Sequence, residues 1–141
     1  MFLIRRGSEP DLPGVAAVQA ASPEAAPWNV TEYLLYDFRV ADAGGRIAGF
    51  LVSRPVAEGE SEVLNLAVTP DLRRRGVARE LLKSFLVEAP GAVYLEVRES
   101  NRAAREFYKS MGFKEFGSRS GYYDSPGGLS ETAIVMKFHS C

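Results

Sequence analysis

The segment best suited to chemistry runs Leu64-Asn65-Leu66-Ala67-Val68-Thr69-Pro70-Asp71-Leu72-Arg73-Arg74-Arg75-Gly76-Val77-Ala78-Arg79. It reads as a strand that ends, a short loop, and a helix that begins at Gly76. The first turn of a helix offers unpaired backbone N–H groups and a partial positive charge. Gly76 lets a ligand come close to the backbone, and Ala78 keeps the turn small. Arg73, Arg74 and Arg75 add positive charge beside it. Together these residues make an anion site suited to a pyrophosphate. The spacing Arg-x-x-Gly-x-Ala is neither the Gly-x-Gly-x-x-Gly of dinucleotide folds nor a P-loop, which needs a Gly-Lys-Ser/Thr absent here. A solvated arginine run before an ordinary helix would read the same way, so the loop alone leaves the ligand open.

Two proton-handling groups follow. Val93, Leu95 and Val97 alternate with Tyr94, Glu96 and Arg98, which predicts a strand whose polar face carries Glu96. Ala104, Phe107, Tyr108 and Met111 recur at i, i+3, i+4, i+7, which predicts a helix with Asn101 as its N-cap and Gly112 just past its end. A carboxylate can accept a proton. A phenol, with a reference pKa near 10 against about 8.5 for a thiol, can give one to a departing thiolate. Each residue also has a plainer reading. Glu96 is a strand carboxylate paired with Arg98 or solvated, Tyr108 a buried core ring, and Asn101 a simple cap.

These groups need elements to hold them. Met1–Arg6 reads as a first strand, Asp11–Ala21 as a helix, and Thr31–Phe38 as a second, short helix after the break at Ala25-Ala26-Pro27-Trp28. Val40–Asp42 and Ile47–Arg54 flank Gly44-Gly45, a hairpin signal, and Glu58-Gly59-Glu60 turns the chain into a strand over Ser61–Val68. Val77, Ala78, Leu81, Leu82, Phe85 and Leu86 form one helix face that Ala89-Pro90-Gly91 stops. Ser61–Val97 is therefore a strand–helix–strand unit, which implies a parallel, right-handed pair. Phe113–Arg119 and Thr132–Phe138 make a last hairpin around a long loop holding Tyr122, Tyr123 and Pro126-Gly127-Gly128. The expected fold is one α+β domain over residues 1–141, with a mixed, mostly antiparallel sheet.

Composition narrows the classes. The chain has 141 residues, 46% hydrophobic and 25% charged, which is ordinary for a globular protein with a sizeable core. Its net charge of −1 argues against direct nucleic-acid binding, which needs a strongly basic surface. The single cysteine, Cys141, excludes an intrachain disulfide and suggests the reducing cytoplasm. Phe2-Leu3-Ile4 is too short for a leader, and no apolar run approaches a membrane span. The single histidine, His139, lies near the C-terminus, so no Ser-His triad and no metal are expected.

The Arg73–Ala78 loop resembles the acyl-CoA-binding motif of the GCN5-related N-acetyltransferase (GNAT) family. The likeness continues through Leu95-Glu96-Val97-Arg98-Glu99-Ser100-Asn101-Arg102-Ala103-Ala104 and Tyr108-Lys109-Ser110-Met111-Gly112-Phe113. This second half is most similar to the branch that acetylates the N-terminal alanine of a ribosomal protein. Pro27-Trp28, Asn65–Val68 and Tyr122-Tyr123 sit where that branch has similar residues. The likeness is strong from Leu64 to Phe113 and weak from Phe2 to Val63. Ser120-Gly121-Tyr122-Tyr123-Asp124 and Ser130-Glu131-Thr132 depart from the branch on the acceptor side.

The resemblance implies acetyl transfer from acetyl-CoA, with no metal, to a primary amine. It implies that Glu96 is the base, directly or through water, and Tyr108 the acid. Leu66, Ala67, Val68, Arg73, Arg74, Arg75, Gly76, Val77, Ala78, Arg79 and Asn101 would hold acetyl-CoA, with the Val68 N–H as oxyanion donor. Tyr122, Tyr123 and Trp28 would line the acceptor side. The acceptor is expected to be a protein or peptide N-terminus. A small amine, a CoA-binding module without turnover, and an RNA-binding protein using Arg73–Arg75 are the competing readings. The pairing of Glu96 with Tyr108 favours catalysis over a silent module, and the near-neutral charge weighs against RNA.

Overall fold

The structure is a computed structural model that describes residues 2–23, 25–124 and 130–139; of 120–124 and 130 it describes the backbone alone. Ten regular elements follow in order: β1 (Leu3–Arg6), α1 (Leu12–Ala20), β2 (Asp37–Ala43), β3 (Arg46–Ala57), β4 (Glu60–Val68), α2 (Val77–Glu88), β5 (Ala92–Arg98), α3 (Arg102–Ser110), β6 (Lys114–Asp124) and β7 (Ser130–His139). The strands form one seven-stranded sheet in the order β1-β2-β3-β4-β5-β7-β6. Every neighbouring pair is antiparallel except β4 and β5, as the strand–helix–strand reading requires. The mixed α+β class is therefore the one expected.

Period-2 alternation divides the core between the two faces of the sheet. Val40, Phe50, Val52 and Ala67 pack with Leu12, Val15 and Val18 of α1 and with Tyr33. Ala41, Leu51, Val63 and Val68 pack with Val77, Leu81, Leu82, Phe85 and Leu86 of α2. The α3 stripe of Ala104, Phe107, Tyr108 and Met111 packs on the α2 side, yet no residue of α3 is fully buried. The Tyr108 ring is thus half-buried rather than sealed in the core. It meets Phe107 and Phe113 edge-on, with centroids 5.2 and 5.6 Å away.

Two expected elements differ. The second helix is a 3-10 helix over Val30–Leu35, capped by Asn29 rather than Thr31: the Asn29 carboxamide oxygen accepts from the Thr31 N–H at 3.1 Å. It ends early because Asp37 and Phe38 join β2 opposite Ser53 and Val52, and Phe38 is taken into the core. At the other end, the backbone of Gly121–Asp124 lies in β6 and β7 starts at Ser130, so most of the expected loop is strand. Pro126, Gly127, Gly128 and Cys141 lie outside the described residues. So do the side chains of Tyr122 and Tyr123, and with them their expected acceptor role.

The closed end of the parallel pair depends on two glycines in contact. The Ala92 N–H donates to the Gly59 carbonyl at 2.9 Å, which docks the β3–β4 turn on the start of β5. Gly91 has φ +71°, and a Cβ there would stand 2.1 Å from the Gly59 oxygen. Gly91→Ala therefore combines left-handed strain with a backbone clash. We expect a loss of at least about 2 kcal/mol, read as a fall in Tm of roughly 6 °C or more. Gly117→Ala, where nothing lies within 4 Å, should stay within about 0.5 kcal/mol of wild type. Equal melting temperatures for the two variants would contradict this account of the joint.

Candidate functional site

β4 and β5 begin side by side and then part. They pair at Glu60–Ala92, Ser61–Val93 and Glu62–Tyr94, and no ladder position joins them beyond. A groove of about 1660 Å³ opens where they separate. Its walls come from the two strand edges, the start of α2, one face of α3, and the segment after α1 through Trp28. The Thr69 N–H donates back to Ala48 of β3 at 2.8 Å. Strand alternation therefore turns the Val68 N–H the other way, toward the open edge. The Leu66 N–H on that edge donates to the Asn65 carboxamide oxygen at 3.1 Å.

β4 also carries a bulge. Val52 faces Asn65 while Ser53 faces Val63, so Leu64 is an extra residue. Leu64 and Ala67 pack on the α1 side, and Val63, Leu66 and Val68 pack on the α2 side. The bulge thus lets Leu64 and Asn65 both face α1. Asn65, a buried polar residue in an apolar strand, was the signal in the sequence that the candidate set did not use.

The loop to α2 is strained and braced. Gly76 takes the N-cap position at φ +83°, no side chain caps the helix, and the space where its Cβ would stand is open. Arg74 is the one non-glycine residue with positive φ among those described, at +62°. Such backbone strain persists only where the surroundings hold it. Here Arg46 forms a two-pronged ion pair with Asp71, both contacts 2.8 Å, and the Thr69 hydroxyl donates to Asp71 at 3.1 Å. Arg73 turns back on the loop: its Nε donates to the Val68 carbonyl at 3.2 Å and its Nη2 to the Ser22 hydroxyl at 3.3 Å.

The groove gathers most of the candidates named from the sequence. Leu66, Ala67, Val68, Arg73, Arg74, Gly76, Val77, Ala78, Arg79, Asn101, Glu96 and Tyr108 all line it, as does Trp28. Arg75 does not. Asn101 is also the N-cap its plainer reading describes, accepting from the Ala104 N–H at 3.2 Å. Glu96 is not paired with Arg98, which instead reaches Glu131 at 3.3 Å. Its partner is Arg119, at 2.7 Å. β7 lies between them, with Val135 opposite Glu96 and Ala133 opposite Arg119. Arg119 stood only at a predicted strand end in the sequence, and nothing local marked it. Among the described residues, no group of His, Cys, Asp and Glu is placed to hold a metal, and no helix is long and apolar enough to cross a membrane.

Comparison with known proteins bears on this geometry. A family model for acetyltransferases of the GNAT family matches residues 10–113. A [ribosomal protein bS18]-alanine N-acetyltransferase of Salmonella typhimurium is 36% identical over 92% of this chain and 91% of its own. The crystal structure of the ribosomal-protein-S18-alanine N-acetyltransferase from Escherichia coli superimposes with a TM-score of 0.86 at 31% identity, covering 99% of this chain and 94% of that one. Chaetomium thermophilum Naa20, solved with a bisubstrate analogue, gives 0.86 at 26% identity, covering 97% and 86%.

The loop brace has a pH signature. The Arg46 guanidinium pulls the Asp71 carboxyl down from 3.8 to about 2. A depressed carboxyl stabilises the fold fully above its unfolded pKa and stops doing so as pH falls through its folded value. The brace is therefore complete above pH 4 and lost on approaching about 2. An NMR titration of Asp71 should show a midpoint near 2 in wild type, shifted upward toward 3.8 in Arg46→Gln. The same midpoint in both proteins would mean the pair does not form in solution.

Proposed function

Since the chain belongs to the GNAT acetyltransferase family, we propose that it moves the acetyl group of acetyl-CoA to the N-terminal α-amine of a protein, of the ribosomal-protein alanine type. One observation carries this reading: a carboxylate from β5, a phenol from α3 and the uncapped start of α2 all line the groove where the parallel strands part.

The residues present fit acetyl-CoA. The first turn of α2 has no side-chain cap, and Gly76 presents no side chain toward the open space before it. The N–H groups of Val77, Ala78 and Arg79 would hold the pyrophosphate, with Arg74 adding charge. Arg73 braces the loop, Arg75 stays off the groove, and Asn101 closes the far side. The open edges of β4 and β5 offer backbone donors and acceptors to an extended arm that carries amides. Acetyl-CoA, when bound, supplies the acetyl group as a thioester.

This chain's groups then divide the work. The Val68 N–H, turned to the open edge, donates to the thioester carbonyl oxygen and stabilises the charge that grows there. Glu96 accepts the proton that the attacking amine loses, directly or through a water, and Arg119 holds its carboxylate in place. Tyr108 gives its hydroxyl proton to the departing sulfur, so the thiol leaves neutral. A protein α-amine has a pKa near 7.8, and roughly 10–15% of it is neutral at pH 7; a lysine near 10.4 is about 0.04% neutral. A site with one carboxylate base therefore suits an α-amine. Trp28 and the segment before it form the acceptor wall.

Two measurements test the reading. At a hundred times its dissociation constant, acetyl-CoA should stabilise the protein by about 2.7 kcal/mol, and Gly76→Asp should remove that shift by setting a carboxylate against the phosphates. No thermal shift with saturating acetyl-CoA would refute the cofactor site. Next, peptides with different first residues are assayed beside a panel of small amines. Wild type should prefer peptides beginning with alanine, whereas a preference for small amines would overturn the acceptor reading. On the preferred acceptor, Tyr108→Phe should lower kcat on the order of 10²–10⁴-fold with unchanged acetyl-CoA affinity. Near-normal turnover would move the acid role to water or another group.

A further inference from the structure

Behind the acceptor wall lies a buried polar network that acetyl transfer itself does not use. Asn65, turned toward α1 by the bulge at Leu64, is 6% exposed, and Tyr33 is fully buried. The Asn65 amide nitrogen donates to the Ala26 carbonyl at 3.1 Å and to the Tyr33 hydroxyl at 3.0 Å. Its carboxamide oxygen accepts from the Ala26 N–H at 3.4 Å and from the Leu66 N–H at 3.1 Å. The Tyr33 hydroxyl in turn donates to the Gln19 side-chain oxygen. The Gln19 amide nitrogen donates to the Trp28 carbonyl at 2.6 Å.

These contacts share a target. Ala26-Pro27-Trp28 has neither helix nor strand to fix it, and it faces the groove. Asn65 offers Ala26 one donor and one acceptor, as a strand partner would. Gln19 secures the Trp28 carbonyl two residues on. The same Asn65 oxygen holds Leu66, on the open edge of β4. One side chain therefore ties the acceptor wall to the strand edge across from it. Between buried groups such as Asn65 and Tyr33 such bonds are strong, and breaking one leaves its partner unpaired.

We infer that Asn65, seconded by Gln19 through Tyr33, is a positioning residue for the acceptor: it fixes the gap between the Ala26–Trp28 wall and β4 and so sets which first residue the site accepts. The inference rests on the amine-acetylating function proposed above. The network lies on the α1 side of the sheet, away from the first turn of α2. Its one tie to the residues proposed to hold acetyl-CoA is the bond to the Leu66 N–H, so it acts mainly on the acceptor. A reacting group displaced by an ångström loses rate steeply, because proximity is most of what the site supplies.

The test compares Asn65→Ala and Gln19→Leu with wild type in the full-length chain, using acetyl-CoA and peptides that differ in their first residue. Gln19 is only partly buried, so its variant keeps the experiment interpretable if Asn65→Ala folds poorly. Both variants should raise acceptor KM on the order of tenfold or more and flatten the preference among first residues. The dissociation constant of acetyl-CoA should stay within about twofold of wild type. Asn65→Asp, which keeps the oxygen for Ala26 and Leu66 but loses the donor, should fall between wild type and Asn65→Ala. Unchanged acceptor KM and preference in both variants overturns the inference, whatever happens to Tm. A parallel loss of acetyl-CoA affinity also overturns it, since that is a general loosening of the fold. A wild type that acetylates small amines and no peptide refutes the acceptor reading alone, because the same KM comparison is then made on the amine. Inactivity on both panels refutes both readings.

Discussion

Strands β4 and β5 leave one end of the sheet as parallel neighbours and separate after three residue pairs. A parallel pair needs a long crossover, and here α2 is that crossover. The separation thus comes with a helix whose first turn stands at the mouth of the gap. Backbone groups that a sheet would normally consume are left on both edges, and a helix that would normally be capped is left without a side-chain cap. Each is costly in isolation, since backbone donors and acceptors demand partners. Together they form a groove with polar backbone edges in the middle of an otherwise continuous sheet, flanked by two apolar cores.

The walls differ in how they are held. On the α2 side the means are charged side chains: Arg46 in an exposed ion pair with Asp71, and Arg73 donating to the Val68 carbonyl. On the α1 side they are neutral, running from buried Asn65 and Tyr33 to half-buried Gln19. Ion pairs at a surface yield to salt and to a charged ligand, whereas neutral hydrogen bonds between buried groups do not. The loop at the start of α2 is thus the adaptable wall of the groove, and the Ala26–Trp28 segment the firmer one.

Local pattern made much of this legible. The apolar faces of α2 and α3, the alternation around Glu96, and the arginine–glycine loop follow from spacing within about a dozen residues, and each stands where the sequence put it. What stayed hidden depends on register between distant segments. The 3-10 helix at Val30–Leu35 stops where it does because β3 claims Phe38. Arg119 reaches Glu96 only because β7 lies between them at one register. Asn65 finds its partners only because the bulge at Leu64 turns it toward residues about forty positions earlier. No periodicity carries such information.

The two-sided core also implies an order of assembly. Strands β1 to β4 are joined by antiparallel ladders between chain neighbours. With α1 they enclose an apolar cluster that, among the described residues, contains none beyond Ala67. This portion can therefore become compact before α2 is made, as chains growing from the ribosome fold their early parts first. The β5–β7–β6 portion must instead wait for residues up to His139, and it meets the first through three ladder positions and the α2 face. The groove between β4 and β5 therefore takes shape only once β5 and α3 join the earlier strands. A chain interrupted before β5 would hold the Ala26–Trp28 segment and the loop to α2 with nothing opposite them.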